Sequence, residues 1–477
     1  MKRLPAIVIS LACLYPITAI THELPSLGDA SSAIVSPEQE HLLGRAWLSL
    51  LRGQVRQLSD PLLKDFVESS VFRLAETSEL ADRRLEFVLL DSNQLNAFAA
   101  PGGIIGVNGG LFLYAEQEGE FASVLAHELA HLSQRHFARG LEAQQRMQLP
   151  VMAALLAGIV AAAAGAGDAG MAAIMSAQGA AIQAQTRFSR QNEQEADRIG
   201  LMNLQRAGFD PHTMPAMFER LMRQYRYDRK PPEFLMTHPV SESRIADTRN
   251  RAEQLASGGR QDSLRYQLMR ARVQLHYENT SGLAAKRFQA QLDENPKHDA
   301  ARYGLALALI KGGQFNNARP HLDNLLAKRA HEVAYNLAYI ELDMATRKLA
   351  DARQRMNRLL ELYPRSTPTR LLHATLLHRE GKLTEAESVY TELSQSRPKD
   401  PDIWYELAEI RGLAGNTIGL HQARAEYFAL VGDYEPAIEQ LDFAKRRASN
   451  NFQLAARIDA RQKDLRNEQQ MVKALLK

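Results

Sequence analysis

The apolar positions of the chain keep a helical period over most of its length and leave it in one short stretch. After Ser36 the run Pro37-Glu38-Gln39-Glu40 opens a helix: Ser36 suits the N-cap, Pro37 the first helical position, and Gln39 the third, where a capping box places Glu or Gln. That helix is expected to run towards Leu51, and a second to cover Asp60 to Thr77. Leu85-Glu86-Phe87-Val88-Leu89-Leu90 is an almost unbroken apolar run of strand length. Between Asn96 and Val107 two apolar runs flank Pro101-Gly102-Gly103, a turn signal that predicts a β-hairpin. The helical period returns around Leu111-Phe112-Leu113. It continues from Glu118 to Arg139, where a single helix is predicted with Gly140 placed to cap it.

From about Gln261 the pattern repeats. Ala284, Ala318, Ala352 and Ala386 stand 34 residues apart, as do Phe288, Leu322, Met356 and Tyr390. Pro296, Pro364 and Pro398 follow the same register, with Ala330 the one departure. Small residues let paired helices approach, larger apolar ones fill between them, and Pro ends the second helix. This predicts tetratricopeptide repeats, continued less regularly from Leu407 to Ala444. The concave face of such a solenoid takes extended peptides or partner proteins, and Tyr303, Tyr335 and Arg370 are candidates for it. The predicted fold is mainly α: an α+β domain with a small sheet over residues 21–260, then an α-solenoid over 261–477.

Two segments change that picture. Residues 1–20 read as a secretory signal, with Lys2-Arg3 as the positive start, an apolar stretch from Ala6 towards Ile20, and cleavage after Ala19. A short anchoring helix and lipid attachment at Cys13 are the alternatives. Cys13 is the only cysteine, so a processed chain has no disulfide and depends on core burial. Residues 149–184 are rich in Ala and Gly, and the stretch Val151 to Gly167 carries no charge. It reads as a helical hairpin over the site, as a membrane-surface contact, or as a span, for which it is marginal in length. Lys2 and Arg3 supply two of the +3 formal charges, and no basic tract interleaved with aromatics occurs, so nucleic-acid binding is not expected.

The candidate chemistry lies in His127-Glu128-Leu129-Ala130-His131. Residues four apart on a helix differ by about 40° around the axis and about 6 Å along it, so both imidazoles can share a tetrahedral metal. Glu128 is offset by about 100° and can reach a water on that metal as general base. Val124, Leu125, Leu129 and Leu132 make this a buried helix, where a Glu between two His needs a compensating charge. His136 is placed about 180° from His127 and is expected at the surface. Glu193 is a candidate third ligand. Asp197, one turn on, could bond a ligand His or donate to the transition state.

His-Glu-Leu-Ala-His followed by Glu193-x-x-Ala196-Asp197 resembles the gluzincin metalloproteases of the HtpX and CAAX-prenyl-endopeptidase family. Asn96-Ala97-Phe98-Ala99 with Pro101-Gly102-Gly103, and Thr237-His238-Pro239 with Arg244, narrow the likeness to a secreted branch with C-terminal repeats. The resemblance implies a zincin-like domain and one Zn²⁺ on His127, His131 and Glu193, with Glu128 as base and Asp197 as a supporting catalytic residue. It also implies a periplasmic endopeptidase, associated with the outer membrane, acting in quality control of outer-membrane β-barrel proteins. Its partners would be misfolded or assembling outer-membrane proteins and the β-barrel assembly machinery, with peripheral membrane contact. His238 has two readings: a fourth ligand that silences the site, or a structural or substrate-contacting histidine. Two other functional readings stay open, a repeat-based chaperone with occasional proteolysis and a membrane-embedded protease.

Overall fold

The computed structural model describes residues 35–142, 190–225, 233–256 and 258–475. The signal-like segment and the Ala/Gly-rich stretch lie outside them. Helix α1 (Pro37–Gln54) starts with the full capping box, Ser36 and Gln39 each bonding the other's backbone N–H. Helix α2 (Pro61–Thr77) is capped by Asp60. Strands β1 (Glu86–Leu90), β2 (Ala97–Ala100) and β3 (Ile104–Asn108) form one sheet in the order β1-β3-β2. The hairpin pairs Ala97 with Val107 and Ala100 with Ile104. Strand β1 runs parallel to β3, Glu86 opposite Ile104 and Leu90 opposite Asn108.

In the hairpin, Asn108 N–H bonds Asn96 O, so inward-facing backbone groups alternate from Asn96. That alternation turns the N–H and C=O of Ala97 and Ala99 towards the outer edge. Gly102 and Gly103 both take φ of 78°, which the turn requires. Helix α1 rests on this turn at Gly44, where a Cβ would stand 2.1 Å from Pro101 O. Gly44→Ala is therefore expected to cost about 1–3 kcal/mol, the range for overpacking, read as a lowered denaturant midpoint.

Helices α3 (Gly110–Tyr114) and α4 (Glu118–Ser133) follow. The sequence predicts one helix to Arg139, but α4 stops at Ser133: Arg135 adopts a left-handed φ of 48°, and a separate α5 (His136–Glu142) begins. Beyond come α6 (Arg190–Arg206), α7 (Thr213–Tyr225), α8 (Glu233–Thr237) and α9 (Glu242–Gln254). The helical array is α10 (Leu264–Tyr277), α11 (Ser281–Glu294), α12 (Asp299–Lys311), α13 (Phe315–Lys328), α14 (Val333–Ala345), α15 (Leu349–Leu362), α16 (Thr367–Arg379), α17 (Leu383–Ser396), α18 (Pro401–Leu413), α19 (Thr417–Leu430), α20 (Tyr434–Arg447) and α21 (Phe452–Leu475). The in-register Ala284, Ala318, Ala352 and Ala386 are all buried, as are Phe288, Leu322, Met356 and Tyr390. Among the described residues no helix is long and apolar enough to cross a membrane.

The core does not part near residue 260. Phe66, Phe112, Phe121 and Tyr266 form one aromatic cluster with centroids 4.6–5.9 Å apart. Tyr266 comes from α10 and donates to Ala115 O at 2.8 Å. Fully burying such a ring is worth about 1.5–3 kcal/mol. The first N–H groups of α4 are held from the same linker: Glu118 N–H bonds Asp262 and Gly119 N–H bonds Gln261 O. Further along, the array closes on α1 and α2. Lys64 reaches Asp400 and Asp402, Lys399 reaches Glu86, and Ala46 packs into the apolar core of α19 to α21. Tyr303 and Tyr335 prove fully buried, Tyr303 accepting from Arg272, while Arg370 pairs with Glu392. Neither tyrosine is available to a groove.

Candidate metal centre

Helix α4 carries His127, Glu128 and His131 in its buried middle. Its sequence has small or apolar residues on every side of the motif, so the helix can be covered all round, and α6 crosses it closely. Gly200 makes that crossing fit: a Cβ there would lie 3.1 Å from Ala126 and His127 backbone atoms. The crossing brings Glu193 and Asp197 against the motif. Helix α8 and the turn after it deliver His238, whose N–H bonds Phe234 O, and α9 delivers Arg244.

One ligand atom from each of His127, His131, Glu193 and His238 lies within 4.8 Å of every other. His131 Nε2 is 3.0 Å from His127 Nε2, and His127 Nε2 is 3.4 Å from His238 Nδ1. Glu193 Oε1 is 3.1 Å from His238 Nδ1 and 3.5 Å from His131 Nε2, and Glu193 Oε2 is 3.6 Å from His127 Nε2. Zinc–nitrogen bonds of about 2.0–2.1 Å set tetrahedral donors about 3.3–3.4 Å apart, so the spacing and chemistry of these groups fit such an ion. All four residues are buried, with exposures of 5% or less. Donors gathered this deep from two helices and a turn are a setting in which a bound cation offsets the cost of burial.

Charge is ordered around them. Burial would raise the Glu193 carboxyl, but the imidazoles of His238 and His127 outweigh it and hold the group well below the usual carboxylate range. Burial likewise opposes ionisation of Asp197, and the Arg244 fork and His127 reverse that. Arg244 bonds both Asp197 oxygens at 2.7 Å, Pro239 O at 2.7 Å, and lies 2.9 Å from Glu193 Oε2. Asp197 Oδ1 sits 3.0 Å from His127 Nδ1. His127 is lowered by burial yet pushed up to about 10 by Asp197 and Glu193. Glu128 is raised chiefly by burial, which makes it a stronger base than a solvated carboxylate, with the Ala99 backbone working against that rise. Its Oε1 is 3.4 Å from His238 Nε2.

His136 departs from expectation. The break at Arg135 turns it inward: it is 1% exposed, and its Nδ1 is 2.8 Å from His131 Nδ1. A helix continued to Arg139 would have carried it away. The one sequence signal was the histidine itself, five residues past His131.

The Peptidase family M48 model matches residues 61–252, and a tetratricopeptide-repeat model matches residues 282–335. The chain is 34% identical over 457 residues to the β-barrel assembly-enhancing protease of Escherichia coli K12, covering 95% of this chain and 93% of that one. It is 33% identical to the protein of that name from Yersinia pestis, covering 93% and 91%. The mitochondrial metalloendopeptidase OMA1 of Schizosaccharomyces pombe shares 31% identity over 180 residues, 38% of this chain and 50% of its own.

Proposed function

Because the chain belongs to the family of the β-barrel assembly-enhancing proteases, within the M48 peptidases, we propose that it is a periplasmic zinc endopeptidase that degrades misfolded or stalled outer-membrane β-barrel proteins. The observation that carries this reading is the buried four-donor cluster with Glu128 beside it. His127, His131 and Glu193 would hold the metal, and Glu128 is the general base. Zinc, when bound, supplies Lewis-acid polarisation of the scissile carbonyl and an acidified water. The chain's own residues do the rest. The outer edge of β2 receives an extended substrate as an added strand, laying its backbone across the site. Glu128 takes the proton from the attacking water and delivers it to the leaving amine. Asp197, held by Arg244, faces Nδ1 of His127 and orients that imidazole, which favours a positioning part for it over direct donation to the substrate.

His238 is the regulatory element of this proposal. Its Nδ1 stands at the fourth corner of the donor set, where water or substrate must enter. His238→Ala is expected to raise degradation of a misfolded outer-membrane protein with zinc content unchanged. A site blocked nine-tenths of the time gains about tenfold. Loss of activity with zinc intact would instead make His238 a substrate-contacting or structural residue. The same blocked corner favours a second reading, in which the repeats act mainly as a chaperone or scaffold at the assembly machinery and proteolysis is occasional. The helical array supplies recruitment in both readings.

A further inference from the structure

We propose that His136 is a positioning residue of the metal site, fixing the ring of His131 through a relay that ends on Glu195. The inference rests on the reading of His131 as a metal ligand. His131 turns Nε2 towards the donor cluster, 3.0 Å from His127 Nε2 and 3.5 Å from Glu193 Oε1. Its other ring nitrogen, Nδ1, lies 2.8 Å from His136 Nδ1. A neutral imidazole that gives the lone pair of one nitrogen to a metal carries its hydrogen on the other. The His131 Nδ1–H therefore has His136 Nδ1 as its acceptor. That assigns the tautomer of the second ring: its hydrogen is on Nε2, which stands 3.1 Å from Glu195 Oε2. Arg139 Nη1 bonds the same carboxylate oxygen at 3.0 Å.

Every hydrogen in this chain has one direction, from His131 to His136 to Glu195. A doubly protonated His136 would set N–H against N–H across the 2.8 Å contact. The two rings meet edge to face, with centroids 4.8 Å apart, so a nitrogen of each can point at the other.

The backbone is shaped for this contact. In an unbroken helix a residue five positions on lies about 140° round the axis, and His136 could not face His131. Arg135 takes the left-handed conformation instead, one that side-chain-bearing residues rarely adopt. Its guanidinium bonds Val35 O at 2.8 Å and approaches Glu40 at 3.5 Å, which ties the kink to α1. His127 receives the equivalent support directly, from Asp197 at 3.0 Å. The two ligands of one motif are thus oriented by different routes, one by a carboxylate and one through an imidazole.

The test is zinc affinity of the full chain, measured by competition with a chromophoric chelator. His136→Leu is expected to weaken binding by about 10–100-fold. His136→Asn, whose amide oxygen can accept at the place of Nδ1, should keep most of the affinity, while the metal-free melting temperature falls alike for both. Glu195→Ala leaves the buried rings in place and should weaken binding severalfold with melting unchanged; it decides the matter if His136→Leu does not fold. Wild-type affinity in His136→Leu or in Glu195→Ala, or equal loss in the Asn and Leu variants, overturns the relay. A wild-type chain that takes up no zinc overturns the metal reading beneath it.

Discussion

Replacing Glu128 by Gln is expected to lower the cleavage rate of a misfolded outer-membrane protein by about 10²–10⁴-fold while zinc content stays at that of the wild type. The two side chains have one shape, and Gln cannot accept the proton. Glu128 is 1% exposed, and burial raises its carboxyl, so the base removed is an unusually effective one. Its oxygens are not among the four clustered donors, which is why the metal should remain. Cleavage per bound zinc is the measurement. A variant within tenfold of the wild type would move the base elsewhere. The same variant separates the two functional readings: full support of outer-membrane assembly by Glu128→Gln would show the chaperone part to stand apart from catalysis.

Arg244→Ala should have the largest effect on stability, about 3–5 kcal/mol. The guanidinium is 5% exposed and holds Asp197 with two bonds of 2.7 Å, so truncation strands a carboxylate that is 1% exposed. It also releases the turn at Pro239 and the neighbour of Glu193. Denaturant unfolding reads the loss, and Arg244→Ala combined with Asp197→Asn should recover part of it because the stranded charge is gone. A loss under about 1 kcal/mol in the single variant would put this pair in the class of solvated ion pairs.

Much of this was legible in the residues. Ser36 and Gln39 announced the first helix, Pro101-Gly102-Gly103 the hairpin, and the 34-residue register the helical array. These signals are local, carried by residues close together in the chain or by strict repetition. The pairing of His127 and His131 with Glu193 was legible for a different reason, since a motif short of one ligand asks for another. His136 was not, because nothing in Arg135 advertises a left-handed backbone; Gly or Asn would have. The parallel pairing of β1 with β3 was also hidden, since the apolar run fixes a strand and not its neighbour. Tyr303 and Tyr335 are candidates for the groove by sequence, yet they are buried against Arg272 and against each other, contacts between helices that no local pattern encodes.

The linker hydrogen bonds at the start of α4 bear on how work done at one end of the molecule is felt at the other. Asp262 and Gln261 hold the first amides of the helix that carries His127, Glu128 and His131, and Tyr266 plugs the aromatic core a few residues later. Whatever displaces the helical array displaces that linker, and the linker is fastened to the helix of His127, Glu128 and His131. The helical array and the helix that bears the donor cluster are therefore fastened at one point, as a handle is to a blade. The peptidase half cannot be lifted out as an interchangeable part without opening a hole where Tyr266 had been.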